Sequence, residues 1–198
     1  MNAKEYFFPE SAAGGYFPVD GTVDFYCRVN GLVQTSDVVL NFGAGRGKGA
    51  AEDPVPYRRA LQTLRGKCAK VIGVDIDTAI LANDDVNEAY VIAPGERLPI
   101  ASESVDVIVS DWVFEHISTP SAVCSEFDRV LKPGGSVCAR TPNRWGYIGI
   151  SARIVPNRFH VSCLKVLQPS KNERDTFPTA YKLNTRRAMR ANFPEGQW

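Results

Sequence analysis

The sequence predicts an α/β fold: a doubly wound, mostly parallel sheet with helices on both faces. Short apolar runs alternate with segments of helical spacing along most of the chain. The run 38–40 is apolar without the alternation of a half-exposed strand, as is typical of a strand covered on both faces. It ends abruptly in a glycine-rich loop, and open parallel sheets bind their ligands at this end of the strands.

The remaining elements are predicted from local signals, in chain order. A helix over 22–33, with Thr22 as its cap, precedes the first strand. Pro54 and Pro56 exclude a helix directly after the glycine loop, so the next helix is predicted from about 56 to 65. A third helix begins at Thr119-Pro120 and ends at 132–135. Apolar runs predict the further strands at 69–75, 89–92, 105–110 and 136–141.

Composition limits the classes of protein and partner. The 198 residues, 44% hydrophobic and 23% charged, suffice for one globular domain with a buried core. A net charge of +1 without long basic runs gives no electrostatic footprint for nucleic acid, and no apolar stretch reaches membrane-spanning length. The five cysteines are scattered singly, so we expect reduced core residues of a cytoplasmic protein without nucleic-acid or membrane partners.

The loop after the first strand is the main candidate for ligand binding. Gly43, Gly45 and Gly47 lack the Cβ atom that would hinder a tight turn or a close ligand. Counted from Gly45, the pattern Gly-x-Gly-x-x-Ala fits a permissive dinucleotide fingerprint. Counted from Gly43, the pattern is Gly-x-Gly-x-Gly, which points to a different ligand.

With this second spacing, the sequence resembles the class I S-adenosylmethionine-dependent methyltransferases. Three further stretches carry the resemblance: Glu96–Pro99, Glu115–Ile117 and Arg129–Gly135. The resemblance covers residues 37–142 and implies a Rossmann-like core. It also implies S-adenosylmethionine as the cofactor and S-adenosylhomocysteine as the product. Dinucleotide enzymes have no stretch comparable to Leu98-Pro99.

The resemblance implies a set of cofactor-binding residues near the ends of the strands. Asp75 would accept both ribose hydroxyls, as the dinucleotide interpretation also predicts. Asn41 and Pro94 stand where the family usually has acids, so we expect weaker cofactor binding and adenine contacts from the backbone near Gly95. The predicted set is Asn41, Gly43, Gly45, Gly47, Asp75, Ile76, Gly95, Glu96 and Ser110.

Asp111 and His116 are the candidate catalytic residues. The resemblance puts Asp111 beside the methyl-transfer site, together with Ser110. His116 would be a general base near the acceptor, because the unperturbed pKa of histidine is about 6.5. The open alternative is a structural histidine that bonds the loop. No cysteine or carboxylate stands at ligand spacing from a histidine, so no metal site is predicted.

The two flanking segments carry weaker signals. Residues 1–36 are rich in aromatic side chains and are expected to form a lid over the ligand or to pack on the sheet edge. Residues 143–198 are expected to hold either an acceptor pocket or a surface insertion, followed by a helix over 186–193. The two antiparallel strands that complete the family's sheet are not found in the sequence. We therefore expect the fifth strand to be an uncovered edge that favours self-association.

Three functions remain open at this stage. The resemblance implies methyl transfer from S-adenosylmethionine to an oxygen or nitrogen of a small-molecule or glycan-like acceptor. Asn41, Pro94 and the missing strands favour a non-catalytic binding protein derived from such an enzyme. The dinucleotide fingerprint leaves a nicotinamide dehydrogenase. Cofactor turnover separates the first two hypotheses, and a nicotinamide titration tests the third.

Overall fold

The structure, a computed structural model, describes residues 6–47, 52–143, 146 and 179–193. Its centre is a five-stranded sheet whose paired strands are all parallel. Along the sheet the strands lie in the order β3-β2-β1-β4-β5. Their bounds are β1 Val38–Phe42, β2 Lys70–Asp75, β3 Glu88–Val91, β4 Val105–Asp111 and β5 Leu131–Arg140. The predicted α/β class is confirmed.

Helices cover both faces of the sheet. Within the described residues, the α-helices are α1 Gly21–Leu32, α2 Pro56–Gln62, α3 Pro120–Val130 and α4 Arg186–Asn192, and short 3-10 helices span Pro9–Ala12 and Thr78–Ala82. Val39 and Val109 face the side covered by α1, where they pack with Val29. Leu40 and Ile108 face the opposite side, covered by α3. This alternation buries apolar side chains on both faces of the central strands, as the unbroken run at 38–40 predicts.

Ion pairs hold the start of α1 and the start of α2 together. The N-cap of α1 is Asp20 and not Thr22, because Asp20 Oδ1 accepts the N–H groups of Thr22 and Val23 at 3.1 and 3.2 Å. Arg58 Nη1 on α2 bonds Asp20 Oδ2 at 2.8 Å, and its Nε bonds Asp53 Oδ2 at 2.7 Å. These ion pairs fix the loop that leads through Pro54 into Pro56, the first residue of α2.

The fifth strand starts earlier than the sequence predicted. Leu131 pairs with Val105, and the next pair is Ser136 with Val107, so the residues from Lys132 to Gly135 form an irregular bulge within β5. Lys132 Nζ bonds both carboxylate oxygens of Asp106 at 2.8 Å. This cross-strand pair keeps the Lys-Pro-Gly-Gly stretch beside β4 and does not release it as a turn.

The cysteine prediction is wrong at one position. Cys124 is buried and Cys68 and Cys138 are half-buried, but Cys27 is exposed. It lies on the solvent side of α1, where its Sγ is 3.8 Å from the hydroxyl of Tyr57. Cys163 lies outside the described residues.

The C-terminal part is described only from residue 179 to residue 193. It contains α4, close to the predicted helix at 186–193. Among the described strands, β5 pairs with β4 alone. The absence of two further antiparallel strands stays a prediction, because residues 144–145, 147–178 and 194–198 lie outside the described part. The helices that the structure describes include none long and apolar enough to cross a membrane.

Candidate active site

A cavity of about 700 Å³ lies at the carboxyl ends of the strands, on the side of the sheet covered by α3. The chain order of the strands reverses between β1 and β4, which is where open α/β sheets bind ligands. Eight of the predicted site residues line this cavity, namely Gly43, Gly45, Asp75, Ile76, Gly95, Glu96, Asp111 and His116. Asn41, Gly47 and Ser110 are not among the lining residues.

The glycine loop has the conformation that its sequence predicts. Gly43, Gly45 and Gly47 have φ values of 76°, 51° and 71°, which side chains rarely adopt. A Cβ atom on Gly43 would lie 2.2 Å from Val113 Cγ2, so the loop touches the segment after β4. A Cβ atom on Gly45 would meet nothing within 4 Å. Gly45 therefore opens onto free space in the cavity.

Asp75 joins the glycine loop to the end of β2. Its Oδ2 accepts the N–H of Gly45 at 2.8 Å, and its Oδ1 accepts the N–H of Asp77 at 2.8 Å. Each carboxylate oxygen can accept a second hydrogen bond. Asp75 is therefore a rigid anionic acceptor at the cavity wall. The half-exposed side chain of Ile76 lies beside it.

Asn83 fixes the glycine loop and was missed in the sequence. Its Nδ2 donates to the carbonyl oxygens of Ala44 and Gly45 at 3.2 and 3.0 Å, and its Oδ1 accepts the N–H of Asp85 at 2.8 Å. Only 7% of Asn83 is exposed. The residue stands 38 positions from Gly45, so no local pattern indicates the contact.

The wall formed by residues 93–98 is held to α3 by hydrogen bonds to an ion pair on that helix. Glu126 Oε2 accepts the N–H of Leu98 at 2.8 Å and a bond from Arg129 Nη2 at 2.6 Å. Arg129 also donates to the carbonyl oxygens of Leu98 and Ile100 at 3.1 and 2.8 Å. At the tip of this wall, Glu96 Oε2 accepts the N–H of Ala93 at 2.7 Å. The arginine that begins the Arg129–Gly135 stretch thus positions the Leu-Pro loop.

Asp111 forms a two-point ion pair. Its two oxygens accept bonds from Arg140 Nε and Nη2, both at 2.6 Å. Arg140 also donates to Thr22 Oγ1 at 3.2 Å, and its guanidinium carbon lies 5.2 Å from the ring centroid of Phe25. Burial and the Asp111 carboxylate raise the pKa of Tyr26 above its usual value. A carboxylate held by two such bonds is fixed in orientation and positions the groups around it.

His116 and its neighbour Glu115 both line the cavity. Glu115 is only 4% exposed, its Oε2 accepts the hydroxyl of Thr141 at 2.9 Å, and its Oε1 lies 3.9 Å from His116 Nε2. The backbone oxygen of Glu115 accepts the N–H groups of Ala180 and Tyr181 at 2.7 and 2.9 Å. Through these bonds the C-terminal segment supplies part of the cavity wall. Sequence analysis assigned no role to Glu115.

Two of the predicted residues that do not line the cavity lie in the strands. Asn41 pairs with Gly73 and Val109 in the middle of the sheet. Ser110 is fully buried, and its Oγ has no hydrogen-bond partner among the residues that the structure describes. Their roles toward the cofactor stay predictions.

The aromatic N-terminal segment packs beside α2. Phe8 stacks on Phe17 with ring centroids 4.9 Å apart, and Tyr16 lies 5.2 Å from Tyr57. None of the described residues 6–36 lines the cavity. The lid function stays a prediction, and so does the acceptor pocket within residues 143–198, most of which lie outside the described residues.

The described residues contain no group of three or more histidines, cysteines and carboxylates arranged to hold a metal ion. The chemistry of the cavity lining thus rests on carboxylates, backbone groups, one histidine and aromatic rings.

Comparison with known sequences points to one family. The model of a family described as a methyltransferase domain matches residues 40–139. A relative from Mycolicibacterium smegmatis, described as a probable S-adenosylmethionine-dependent methyltransferase, is 36% identical over 109 residues. That match covers 54% of this chain and 38% of the relative. A malonyl-[acyl-carrier protein] O-methyltransferase from Hahella chejuensis is 35% identical over 66 residues, or 33% of this chain and 24% of the relative.

The matched region is short compared with these relatives. The chain spans between about a quarter and two fifths of the length of the curated relatives above. Among solved structures, a SAM-dependent methyltransferase from Aquifex aeolicus has a TM-score of 0.48 at 16% identity. The similarity covers 74% of this chain and 81% of that one.

Proposed function

Since this chain belongs to the methyltransferase-domain family, we propose that it transfers a methyl group from S-adenosylmethionine to an oxygen or nitrogen of a small-molecule or glycan-like acceptor. The observation that carries the proposal is Asp75: a carboxylate at the cavity wall whose two oxygens are oriented by backbone N–H groups. The family membership supports S-adenosylmethionine as the cofactor. The acceptor and the whole protein's activity belong to the proposal.

The residues around the cavity suit this cofactor. Gly45 leaves space where a side chain would stand, and Asp75 can accept hydrogen bonds from ribose hydroxyls. Ile76 and the wall at Gly95 and Glu96 would contact the adenine ring through apolar surface and backbone groups. When bound, S-adenosylmethionine supplies a methyl group on a positively charged sulfur, which leaves as the neutral thioether of S-adenosylhomocysteine.

The chain's own contribution is alignment, exclusion of water and, for an acceptor that carries a proton, a base. His116 is the candidate base, because it lines the cavity and has the buried Glu115 carboxylate near its Nε2. Asp111 is assigned a positioning role, because Arg140 bonds each of its two oxygens at 2.6 Å and so fixes its orientation. Its contribution is to hold the end of β4 against β5 at the cavity.

Calorimetric titration of S-adenosylmethionine tests the proposal through the variant Asp75→Asn. Hydrogen bonds to a charged group contribute about 1.5–3 kcal/mol each, so the variant is expected to bind the cofactor at least about 10-fold more weakly. Asp24→Asn is the matched control, because Asp24 is an exposed aspartate that pairs with Arg28 on the surface of α1. It is expected to bind the cofactor like the wild type.

Two results would contradict the proposal. One is a folded wild-type chain that binds neither S-adenosylmethionine nor S-adenosylhomocysteine. The other is cofactor affinity that is unchanged in Asp75→Asn. Because the side-chain amide of the Asp75→Asn variant would lose one backbone hydrogen bond, the thermal unfolding of each variant is measured first. The titrations are then run well below the transition of the less stable protein.

A second candidate function is cofactor binding without methyl transfer. The observation that favours it is the two-point bond between Asp111 and Arg140, which leaves His116 as the sole assigned base in the described cavity wall. A screen of acceptors for S-adenosylhomocysteine release decides between the two. Turnover that His116→Ala lowers, with cofactor affinity unchanged, supports the enzyme. Tight cofactor binding without turnover for any acceptor supports the binding protein.

A further inference from the structure

Trp112, the residue that follows β4, has a conformation that ordinary packing does not explain. Its φ is +59°, in the left-handed region, which is an outlier for a bulky side chain. Its side chain is 45% exposed, although tryptophan is usually buried, and it lines the cavity. Strained residues held in place by their surroundings cluster at ligand sites. Here the backbone is held by the N–H of Trp112, which donates to Arg140 O at 2.8 Å.

Arg140 also fixes the indole ring. Its guanidinium carbon lies 5.6 Å from the ring centroid of Trp112. Both oxygens of Asp111 accept bonds from this guanidinium at 2.6 Å, so its positive charge is largely compensated. The indole ring is therefore oriented by the Arg140 guanidinium, whose compensated charge would repel a positively charged ligand only weakly.

The position of Trp112 matches the part of the cavity where the cofactor sulfur would lie. Trp112 precedes Val113, whose methyl group would be 2.2 Å from a Cβ on Gly43, so the glycine loop and this segment are in contact. A cofactor whose ribose is bound by Asp75 and which continues into the open space at Gly45 would have its sulfur, one carbon away from the ribose ring, near this contact.

The electrostatic character of the lining favours a cation in the same place. Asp75, Glu96 and Glu115 line the cavity, and none of the described lining residues is a lysine or an arginine. An aromatic face attracts a cation within about 6 Å of its centroid, and the attraction grows as the site excludes water.

We propose that Trp112 is a specificity-determining residue that lets the site distinguish the positively charged S-adenosylmethionine from the neutral product S-adenosylhomocysteine. This inference rests on the proposed function. The two ligands share the adenosine and amino-acid parts, and they differ at the sulfur by one methyl group and one positive charge. A ring that favours the charged form would also reduce inhibition by the product.

The test is the ratio of the dissociation constants of the two ligands, measured by calorimetry on the wild type, Trp112→Leu and Trp112→Phe. Leucine and phenylalanine are both L-residues with a Cβ, so each keeps the backbone strain of the wild type. In Trp112→Leu, the preference for S-adenosylmethionine over S-adenosylhomocysteine is expected to fall about 2-fold to 30-fold. In Trp112→Phe it should fall less, because phenylalanine keeps an aromatic face with weaker attraction for cations.

The ratio separates this inference from its alternatives. Equal weakening of both ligands in the leucine variant would mean that Trp112 only supports the shape of the cavity, and would overturn the inference. A loss confined to S-adenosylhomocysteine would also overturn it. If the wild type binds neither ligand, the proposed function fails and the inference with it. Binding with an unchanged ratio in both variants refutes the inference alone.

Discussion

Asn83 is expected to control the stability of the glycine loop, and its two nearest replacements should behave in an unexpected order. Asn83→Ala removes the bonds to the carbonyls of Ala44 and Gly45 and the bond from the N–H of Asp85. A buried hydrogen bond contributes about 1 kcal/mol net, so the free energy of unfolding should fall by about 3 kcal/mol. The conformation of the loop should loosen, and the affinity for S-adenosylmethionine should fall with it.

Asn83→Asp is the more conservative substitution, but at pH 7 it should destabilise the chain more than Asn83→Ala does. The aspartate keeps an acceptor for the N–H of Asp85, yet its second oxygen would face the carbonyl oxygens of Ala44 and Gly45, to which it cannot donate. The two lost bonds account for about 2 kcal/mol. Repulsion between the carboxylate and these carbonyls adds to this destabilisation. Burial already raises the pKa of the neighbouring Asp85, so a second buried carboxylate is costly there.

The pH dependence gives the decisive measurement. The introduced aspartate would have a folded-state pKa above its unfolded value, so its destabilisation is full at high pH and fades as the pH falls toward the unfolded value of about 4. The free energy of unfolding is measured by urea titration of the wild type and both variants between pH 8 and pH 5. As the pH falls, the stability of Asn83→Asp should rise relative to that of Asn83→Ala. The reasoning is refuted if Asn83→Ala unfolds within about 0.5 kcal/mol of the wild type. It is also refuted if the two variants keep the same difference at every pH.

Two further perturbations test the packing of the loop and the cap of α1. Gly43→Ala should destabilise the chain by about 2–4 kcal/mol, because residue 43 has a positive φ and the new Cβ would collide with Val113. Adding Val113→Ala should remove the collision but not the backbone strain, so thermal unfolding should show only part of the lost stability restored. Burial raises the pKa of Asp20 and Asp53, but Arg58 and backbone N–H groups outweigh it, so both pKa values lie below the usual value. Stability from these carboxylates is therefore full above pH 4 and is lost as the pH falls through the lowered values. Arg58→Gln should lower stability at pH 7 and make the loss of stability between pH 4 and pH 2 less steep. An equally steep loss in the variant would contradict its assignment to the ion pairs with Arg58.

The sequence was most informative where function depends on a local pattern at the end of a strand. The glycine spacing predicted a tight ligand-binding loop, and Asp75 was predicted from its place after an apolar run. Parallel strands end at the same edge of a sheet, so residues at those ends come together whatever the details of packing. For this reason the parallel fold was predicted correctly, and Gly45, Asp75 and Gly95 line one cavity.

Contacts between distant segments were not predictable in the same way. The bond of Asn83 to the glycine loop and the pair of Asp111 with Arg140 join residues that are 38 and 29 positions apart. The first depends on how the segment after β2 meets the glycine loop, and the second on which strands lie side by side in the sheet; no local periodicity indicates either arrangement. Arg129 belonged to a recognised stretch, yet its task of holding the wall at Leu98 became visible only in the structure.

The start of β5 shows how a local rule can give the wrong boundary. Lys132-Pro133-Gly134-Gly135 has the composition of a turn, and so the strand was predicted to begin at 136. The ion pair between Lys132 and Asp106 and the pairing of Leu131 with Val105 keep the stretch within the sheet. Tertiary contacts outweighed the turn preference of glycine and proline.

The matched stretch 40–139 does not contain all of the residues that bury its sheet. On one face, Tyr26 and Val29 of α1 pack in the cluster that covers the sheet, and on the other, Leu183 and Phe193 join the residues of α3. A chain cut at the family boundaries would lose these contacts and expose part of each apolar face, so it is expected to be less stable and more prone to aggregate. A fragment of this chain prepared for measurement should therefore keep α1 and residues 179–193 together with the matched stretch.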